Sequence, residues 1–191
     1  EIKKFPINII RCEDCTLLQI DYVVNQNEVY HMDYPYLPGI TLTVDKEQKQ
    51  LSDDLYEKLN LKTDELVVDI GSNDGSLLRY FKEKGLNTLG VEPTNISKIA
   101  NKNGINTIQS FFNKNISEKI IKEQGRAKLI TSTNVFAHMS TLGDVMEGIT
   151  KLLDKDGYYA FENHYIMEIL NKVQYDTFYH EHLRTYSLLS L

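Results

Sequence analysis

The chain has 191 residues, which is long enough to bury one full hydrophobic core with a small appendage. It contains 41% hydrophobic and 25% charged residues, as an ordinary globular domain does. The formal net charge of -6 excludes a general binder of nucleic-acid backbones, and no apolar run is long enough to cross a bilayer. We therefore expect a cytoplasmic protein with no nucleic-acid or membrane partner. The opening stretch, EIKKFPINII, lacks an initiator Met, so we also expect the chain to be part of a longer protein.

Residues 1–45 show no clear hydrophobic period, so a small irregular N-terminal lobe is predicted. Its cysteines, Cys12 and Cys15, are the only two in the chain and have C-x-x-C spacing. Such a pair is half of a tetrahedral zinc site, and a second pair would be needed to complete it. Ordinary reduced thiols are the main alternative. A redox dithiol is disfavoured because the pair does not open a helix after a strand.

The rest of the chain alternates between helical and strand patterns. Leu51, Leu55 and Leu59 at helical spacing predict a helix within residues 45–61. Strands are then predicted in ELVVDI, NTLGVE, INTIQS, AKLITSTN and YYAFEN. Helices are predicted between them in SLLRYFKEKG, NISKIANKNG, ISEKIIKEQG and LGDVMEGITKLLDKDG. This alternation predicts an α/β fold with a doubly wound, mostly parallel sheet, forming one domain over residues 46–191.

The segment VVDIGSNDGSLL ends the first predicted strand of that sheet. Ligands of open α/β sheets bind at the carboxyl ends of the strands. The segment lacks the G-x-G-x-x-G of dinucleotide-binding folds, because position 73 is Asn, and it lacks the Gly-Lys-Ser/Thr ending of a P-loop. What remains is D-x-G-x-x-x-G, with Asp69 at the strand tip and Gly71 and Gly75 in the turn.

This pattern resembles the first motif of the S-adenosylmethionine-dependent methyltransferases, whose fold is the class I, Rossmann-like one. Glycines let the backbone approach a ligand closely, and the ammonium group of that ligand suits an acid such as Asp69. Glu92, twenty-one residues after Gly71, ends the second strand, where a carboxylate can accept both ribose hydroxyls. An NAD-binding fold or a bare scaffold is the alternative. The predicted contacts of the methyl donor are Asp69, Gly71, Asn73, Asp74, Gly75, Glu92, Pro93, Phe112, Asn134 and Tyr36.

Three of the side chains after the later strands have a specific expected place. Phe111 or Phe112 would lie beside the adenine, although packing in the core explains a Phe pair equally well. Asn134 follows the fourth strand, where such folds face the methyl group. His138, close by, is predicted to be a satisfied loop histidine rather than part of the site.

Four segments in this order narrow the resemblance: CEDCTLLQ, DYPYLPG, DIGSNDGSLL and FENHYIMEILNKVQYDTFYHEHLRTYSL. Together they resemble the C-methyltransferases that act on nucleotide-linked keto-deoxysugars in deoxysugar biosynthesis. That family carries a four-cysteine zinc module, of which only Cys12 and Cys15 are present here. It also continues into a C-terminal domain that helps to hold the sugar nucleotide, and this chain stops before it. The resemblance implies S-adenosylmethionine as methyl donor, a nucleotide sugar as substrate and half of a zinc site.

The same resemblance assigns roles to the tail YDTFYHEH. His182 would be the general base that removes the proton alpha to the ketone, a task that suits a histidine near neutral pH. Glu181 would orient the imidazole or bind a sugar hydroxyl, and Tyr179 would hydrogen-bond the developing enolate oxygen. Glu162 and His164, at the end of the fifth strand, are expected to line the same pocket. Tyr34 and Tyr36 in DYPYLPG would close over the methyl donor, unless they form a turn packed on the core.

Other interpretations of these residues stay open. Residues two apart, such as His180 and His182, share a face only in a strand. Zinc would in addition need further ligands from elsewhere. The two histidines would be solvated if the tail is simply a loop leading into a helix over YSLLSL. At the level of function, the alternatives are a methyltransferase of an oxygen or nitrogen acceptor and a non-catalytic module that binds S-adenosylmethionine.

Overall fold

The structure is a computed structural model that describes residues 3–30 and 41–191. The chain forms two compact units, each drawn from more than one stretch of sequence. The sheet unit comprises described residues 41–132 and 142–160, and the histidine unit comprises described residues 3–30, 133–141 and 161–191. The domain boundary predicted between residues 45 and 46 stays a prediction, and Tyr34 and Tyr36 lie outside the described residues.

The central element is a five-stranded sheet in the order β5-β4-β3-β6-β7. Its strands are β3 (Leu66–Ile70), β4 (Asn87–Val91), β5 (Thr107–Ile108), β6 (Ala127–Thr133) and β7 (Leu153–Glu162). The pairings of β3 with β4, β3 with β6 and β4 with β5 are parallel. β3 is central and all five of its residues are buried, which explains why its sequence is a continuous apolar run broken only by one acid.

The helices that cover this sheet follow the predicted segments. They are α2 (Leu42–Lys58), α3 (Ser76–Glu83), α4 (Ile96–Lys102), α5 (Lys114–Gln124) and α6 (Leu142–Leu152). A core cluster between helices and sheet includes Val67, Leu78, Phe81 and Leu129, all fully buried, with Leu55 of α2 packed against it. The predicted doubly wound α/β fold is therefore confirmed, because each helix turns its apolar side toward the sheet.

One boundary was predicted wrongly. The helix predicted to run to Gly157 ends at Leu152, and β7 begins at once with Leu153. Arg126 supports this early turn, since its guanidinium donates to the carbonyl oxygens of Lys151 and Leu153. Gly157 does not end a helix; a Cβ there would lie 2.9 Å from the Ala127 carbonyl oxygen. The close approach of neighbouring strands therefore decided where the helix stops.

The histidine unit is built on a small antiparallel sheet of order β1-β2-β8, formed by β1 (Ile9–Arg11), β2 (Leu18–Ile20) and β8 (Arg184–Thr185). Two short helices, α1 (Gln26–Val29) and α7 (Ile166–Asn171), and two 3₁₀ turns, Phe136–His138 and Tyr175–Thr177, complete it. The predicted N-terminal lobe thus pairs with the end of the chain. The helix considered for YSLLSL does not form, because β8 pairs with β2 and Tyr186 bridges to Tyr165.

Candidate functional site

The glycine-rich turn, residues 71–75, joins β3 to α3 in the sheet unit. Three of its residues have left-handed backbone: Gly71 with φ of 73°, Asn73 with φ of 48° and Gly75 with φ of 79°. Glycine adopts this conformation without strain, and Asn tolerates it better than most other residues. Asp74 caps the turn, because its carboxylate accepts hydrogen bonds from both the backbone N–H and the hydroxyl of Ser76. The turn is therefore specified by local chemistry.

Gly75, in this turn, and Gly90, in the neighbouring strand β4, have packing roles. A Cβ on Gly75 would come within 2.9 Å of the side chain of Ile105. A Cβ on Gly90, in β4, would overlap the Ser72 hydroxyl and lie 2.8 Å from Thr107 Oγ1. Gly90 was not singled out from the sequence, since nothing in the local pattern of NTLGVE marks it. It lets the turn lie directly against the neighbouring strand.

Glu92 follows β4 and is only 6% exposed. Its Oε1 accepts hydrogen bonds from the Thr94 backbone N–H at 2.8 Å and the Thr94 hydroxyl at 2.6 Å. Its Oε2 accepts from the Asn73 backbone N–H at 3.2 Å, which ties the carboxylate to the glycine-rich turn. An ionised carboxylate has about four acceptor positions, so about one remains for a ribose hydroxyl. Glu92 thus shapes the turn as well as being a candidate ligand group.

Asp69, in β3, is 3% exposed and accepts a hydrogen bond from the Thr131 hydroxyl at 2.7 Å. Burial raises the pKa of this carboxyl from 3.8 to about 7; the Thr131 hydrogen bond opposes the shift and the charge of Glu92 adds to it. A buried acid of this kind prefers to be neutral unless a cation joins it. That preference fits the predicted contact with the donor's ammonium group, which stays a prediction.

The other predicted donor contacts have mixed surroundings. Phe112 is buried, and its ring edge lies so close to α6 that a Cβ on Gly148 would come within 3.0 Å of it. Core packing accounts for this side chain, and a contact with adenine stays a prediction. Pro93 is half-buried between Glu92 and Thr94.

Asn134 and Glu162 form a pair in the histidine unit. The Asn134 backbone N–H donates to the Glu162 carbonyl oxygen at 2.9 Å, and Asn134 Nδ2 donates to Glu162 Oε1 at 3.0 Å. Asn134 has left-handed backbone, with φ of 56°, and both side chains are exposed. The two residues predicted for different roles, methyl-group contact and pocket lining, therefore hold each other in place.

The histidine cluster consists of His138, His164 and His182. The ring centroids of His164 and His182 are 4.5 Å apart, and those of His138 and His182 are 5.0 Å apart. Tyr179 packs on His182 with a centroid distance of 4.2 Å. The predicted residues Tyr179, His164 and His182 therefore meet. Main-chain bonding brings the turn of His138 beside the tail, so its ring packs on His182. That His138 is a satisfied loop histidine rather than part of the site stays a prediction.

The hydrogen bond of His182 identifies the tautomer of its neutral ring. His182 Nδ1 lies 2.7 Å from the Thr177 carbonyl oxygen. A carbonyl can only accept, so Nδ1 carries the proton in this pair and Nε2 of the neutral ring keeps its lone pair. The imidazole is thus held in the tautomer that a general base needs, with Nε2 as the basic atom.

The surroundings of His182 disfavour a second positive charge. Burial lowers the pKa of His138 from 6.5 to about 3, and the charges of His182 and His164 lower it further. Burial and the charge of His182 lower the pKa of His164 to about 4. Burial and the nearby Glu181 carboxylate raise the pKa of the Tyr179 phenol, so that phenol stays a proton donor over the neutral pH range.

His180, by contrast, points to a separate partner. Its Nε2 lies 3.1 Å from the Pro6 carbonyl oxygen, to which it donates. Its ring meets Phe5 edge-on at a centroid distance of 5.8 Å. Neither of these two contacts involves a ring of the histidine cluster.

The C-x-x-C pair lies in the turn between β1 and β2. Hydrogen bonds from the backbone of Cys15 and Asp14 lower the pKa of the Cys12 thiol, as thiolate chemistry requires. Within residues 3–30 and 41–191, no group of three or more His, Cys, Asp or Glu side chains is arranged to hold a metal ion. Two thiolates fill only half of a tetrahedral zinc site, so zinc stays a prediction.

The class of protein follows from comparison with known families. A family model described as a methyltransferase domain matches residues 44–191. The chain belongs to this family, which confirms the class predicted from the doubly wound sheet and the D-x-G-x-x-x-G turn. In the described part of the chain, no helix combines the length and the apolar character needed to cross a membrane.

A particular relative is the C-methyltransferase NovU of Streptomyces niveus, to which the chain is similar with 32% identity over 188 residues. The match covers 98% of this chain and 44% of NovU, so the chain spans less than half the length of that relative. The family model begins at residue 44, whereas the match to NovU also includes residues before 44, in the predicted N-terminal lobe.

Solved structures show that the fold is shared. The plantazolicin methyltransferase BamL, in complex with a triazolic desmethylPZN analog and SAH, matches with a TM-score of 0.59 and 16% identity over 78% of this chain and 60% of that chain. A SAM-dependent methyltransferase from Archaeoglobus fulgidus matches with a TM-score of 0.57 and 14% identity over 74% of this chain and 63% of that chain. The YcgJ protein from Bacillus subtilis matches with a TM-score of 0.55 and 18% identity over 75% of this chain and 63% of that chain.

Proposed function

We propose that the protein is an S-adenosylmethionine-dependent C-methyltransferase that acts on the carbon next to the ketone of a nucleotide-linked keto-deoxysugar. The observation that carries this proposal is the tautomer of His182, whose Nδ1 proton is committed to the Thr177 carbonyl. Methylation at carbon requires removal of a carbon-bound proton, and Nε2 is a base available for that step. The similarity to NovU, named as a C-methyltransferase, supports the same type of reaction.

Each residue near the base has a defined task in this reaction. His182 Nε2 takes the alpha proton, and the electron pair of the broken C–H bond moves into the enolate. The Tyr179 phenol donates a hydrogen bond to the enolate oxygen, where negative charge develops. Glu181 orients the His182 ring or binds a sugar hydroxyl. His138 and His164 stay neutral, so they do not oppose the positive charge that His182 gains.

The sheet unit supplies the groups that would hold the methyl donor. Glu92 accepts from the ribose with its remaining acceptor position, and the Asp69 carboxylate receives the ammonium group. Gly71 and Gly75 let the turn backbone approach the ligand. When bound, S-adenosylmethionine supplies the electrophilic methyl group for the enolate carbon and leaves as the neutral thioether.

Hydrogen exchange at the alpha carbon tests the proposal. The protein that contains this chain is incubated with nucleotide-linked keto-deoxysugars in deuterium oxide, and exchange and methyl transfer are followed by mass spectrometry. In His182→Asn, the new amide can still donate to Thr177 but has no basic atom at the Nε2 position. We expect exchange and turnover to fall by about 10²–10⁴-fold while affinity for the methyl donor is kept.

His180→Asn is the matched control, because it removes the neighbouring imidazole, which donates to Pro6 instead. It should exchange at the wild-type rate. Exchange at that rate in His182→Asn would remove His182 from the role of base. Turnover without exchange at carbon would point to an oxygen or nitrogen acceptor, and affinity for the donor without any turnover would point to a binding module.

A further inference from the structure

Tyr30 makes a hydrogen bond that the reaction above does not use. This residue follows helix α1, and its hydroxyl oxygen lies 2.6 Å from His138 Nδ1. The two rings stack with a centroid distance of 5.9 Å and an interplanar angle of 20°. Both residues are half-buried, so this bond is shielded from competing water. A short bond combined with stacking holds the His138 ring in one orientation.

The bond also occupies one of the two nitrogens of the His138 ring. A neutral imidazole has one nitrogen that donates and one that accepts. His138 is neutral above pH 5, because burial and the neighbouring imidazoles lower its pKa to about 3. The phenol hydroxyl can donate to Nδ1 or accept from it, so it bonds to the neutral ring in either form and holds its orientation, from a segment 108 residues away in sequence.

His138 is in turn fixed beside the base. The Leu183 backbone N–H donates to the Ala137 carbonyl oxygen at 3.0 Å, and Arg184 Nη1 donates to the Met139 carbonyl oxygen at 2.6 Å. These bonds hold the tail directly after His182 to the turn on either side of His138. The main chains are held without Tyr30, so what Tyr30 controls is the His138 ring that packs on the His182 ring.

We propose that Tyr30 is a positioning residue that acts on His182 through His138. Its hydroxyl holds the His138 ring in one orientation, and that ring packs on the His182 ring, as those of His164 and Tyr179 also do. The role rests on the proposed function, in which His182 takes the alpha proton. The N-terminal segment thereby tunes the base supplied by the end of the chain.

Tyr30→Phe tests this role, because it keeps the stacked ring and removes only the hydroxyl. In the protein that contains the chain, we expect kcat and alpha-carbon exchange to fall about tenfold, the effect of losing one hydrogen bond of this kind, with KM for the methyl donor unchanged. Tyr22→Phe is the control. Tyr22 stacks on Phe5, and within the described residues its hydroxyl makes no hydrogen bond. Kinetics of Tyr30→Phe equal to those of Tyr22→Phe would overturn the proposal.

A double-mutant cycle shows whether the effect passes through His138. If it does, Tyr30→Phe lowers kcat in the wild-type background and has no further effect in the His138→Ala background. Equal losses in both backgrounds would contradict a route through His138. Thermal unfolding of all four proteins separates this coupling from a general loss of folding.

Imidazole nitrogen NMR of the histidine-labelled protein separates this proposal from the proposed function. At pH 7 we expect the same His138 and His182 signals in the wild type and in Tyr22→Phe, and shifted signals of both rings in Tyr30→Phe. Unchanged signals would overturn the positioning role whatever the activity. Changed signals together with exchange that persists in His182→Asn would retain the coupling and reject His182 as the base.

Discussion

The glycine-rich turn and the histidine cluster are built in opposite ways. The turn, with Asp69 and Glu92 on either side, comes from one short stretch of chain, and its conformation follows from glycines and from local hydrogen bonds of Asp74. The histidine cluster gathers its rings from the turn after β6, the end of β7 and the tail. The backbone of a turn can be encoded locally, whereas a cluster of rings from distant segments needs contacts that only folding brings together.

Both regions hold ionisable groups in the neutral form, an acid in one and histidines in the other. The pKa shifts that do so therefore run in opposite directions. Burial raises the pKa of Asp69 to about 7, and it lowers the pKa of His138 to about 3 and of His164 to about 4. In each case the charged form loses hydration without gaining a matched partner. For Asp69, a bound cation would be that partner, while for the two histidines neutrality suits their place beside the proposed base, His182.

The largest expected effect is on the turn. Gly75→Ala places a Cβ in left-handed backbone and 2.9 Å from Ile105, so we expect a loss of about 2–4 kcal/mol in unfolding free energy and loss of donor binding. Urea unfolding and calorimetric titration with S-adenosylmethionine measure both. Gly143→Ala in α6 is the control, because a Cβ there meets nothing within 4 Å. Equal stability of the two variants would show that the turn is not locally constrained.

Glu92→Gln should have the next largest effect. The Glu92 carboxylate accepts from the Asn73 N–H and from two groups of Thr94. In the variant, the NH₂ group of the carboxamide would face one of these donors, and that donor would lose its acceptor. We expect donor affinity to fall about 10–100-fold, as for a buried donor left without an acceptor. Glu65→Gln, directly before β3 and away from the turn, should bind the donor as the wild type does. Affinity retained by Glu92→Gln would exclude Glu92 as a ribose ligand.

Donor binding should also depend on pH through Asp69. The ammonium group pairs with the ionised carboxylate, and the free protein holds that carboxyl with a pKa of about 7, so affinity should rise from pH 6 to pH 8. Thr131→Val removes the hydrogen bond that lowers this pKa, so the rise should move to higher pH. Titrations across this range measure the midpoint. An affinity independent of pH would argue against a contact between Asp69 and the donor.

The smallest expected effect is on the acid stability of the histidine cluster. Unfolded histidine takes up a proton below pH 6.5, whereas folded His138 resists protonation down to a pKa of about 3. The folded state therefore loses stability relative to the unfolded state as pH falls from 6.5 toward 3. Melting temperatures of the wild type should fall over this range, and those of His138→Asn should fall less. Parallel curves for the two proteins would contradict the neutral state of His138.

Much of the sheet unit could be predicted because its signals are local. The apolar run of β3, the spacing of leucines in α2 and the glycines of the turn each act over a few residues. The prediction failed at Gly157, where contact with Ala127 of the adjacent strand outweighed a helical pattern. Thr131 could not be predicted either, since only strand register brings its hydroxyl to Asp69.

The sequence by itself determined the doubly wound sheet, because hydrophobic periodicity depends on neighbours along the chain, and it indicated the methyltransferase class through the resemblance of its glycine-rich turn to a known motif. It also indicated His182 through a resemblance of motifs. Only the tertiary structure decided that Nδ1 of His182 faces the Thr177 carbonyl, that His138 belongs to the cluster and that Tyr30 bonds to it. Those contacts depend on pairing of β8 with β2, and no pattern of sequence spacing records which distant segments a folded chain brings into contact.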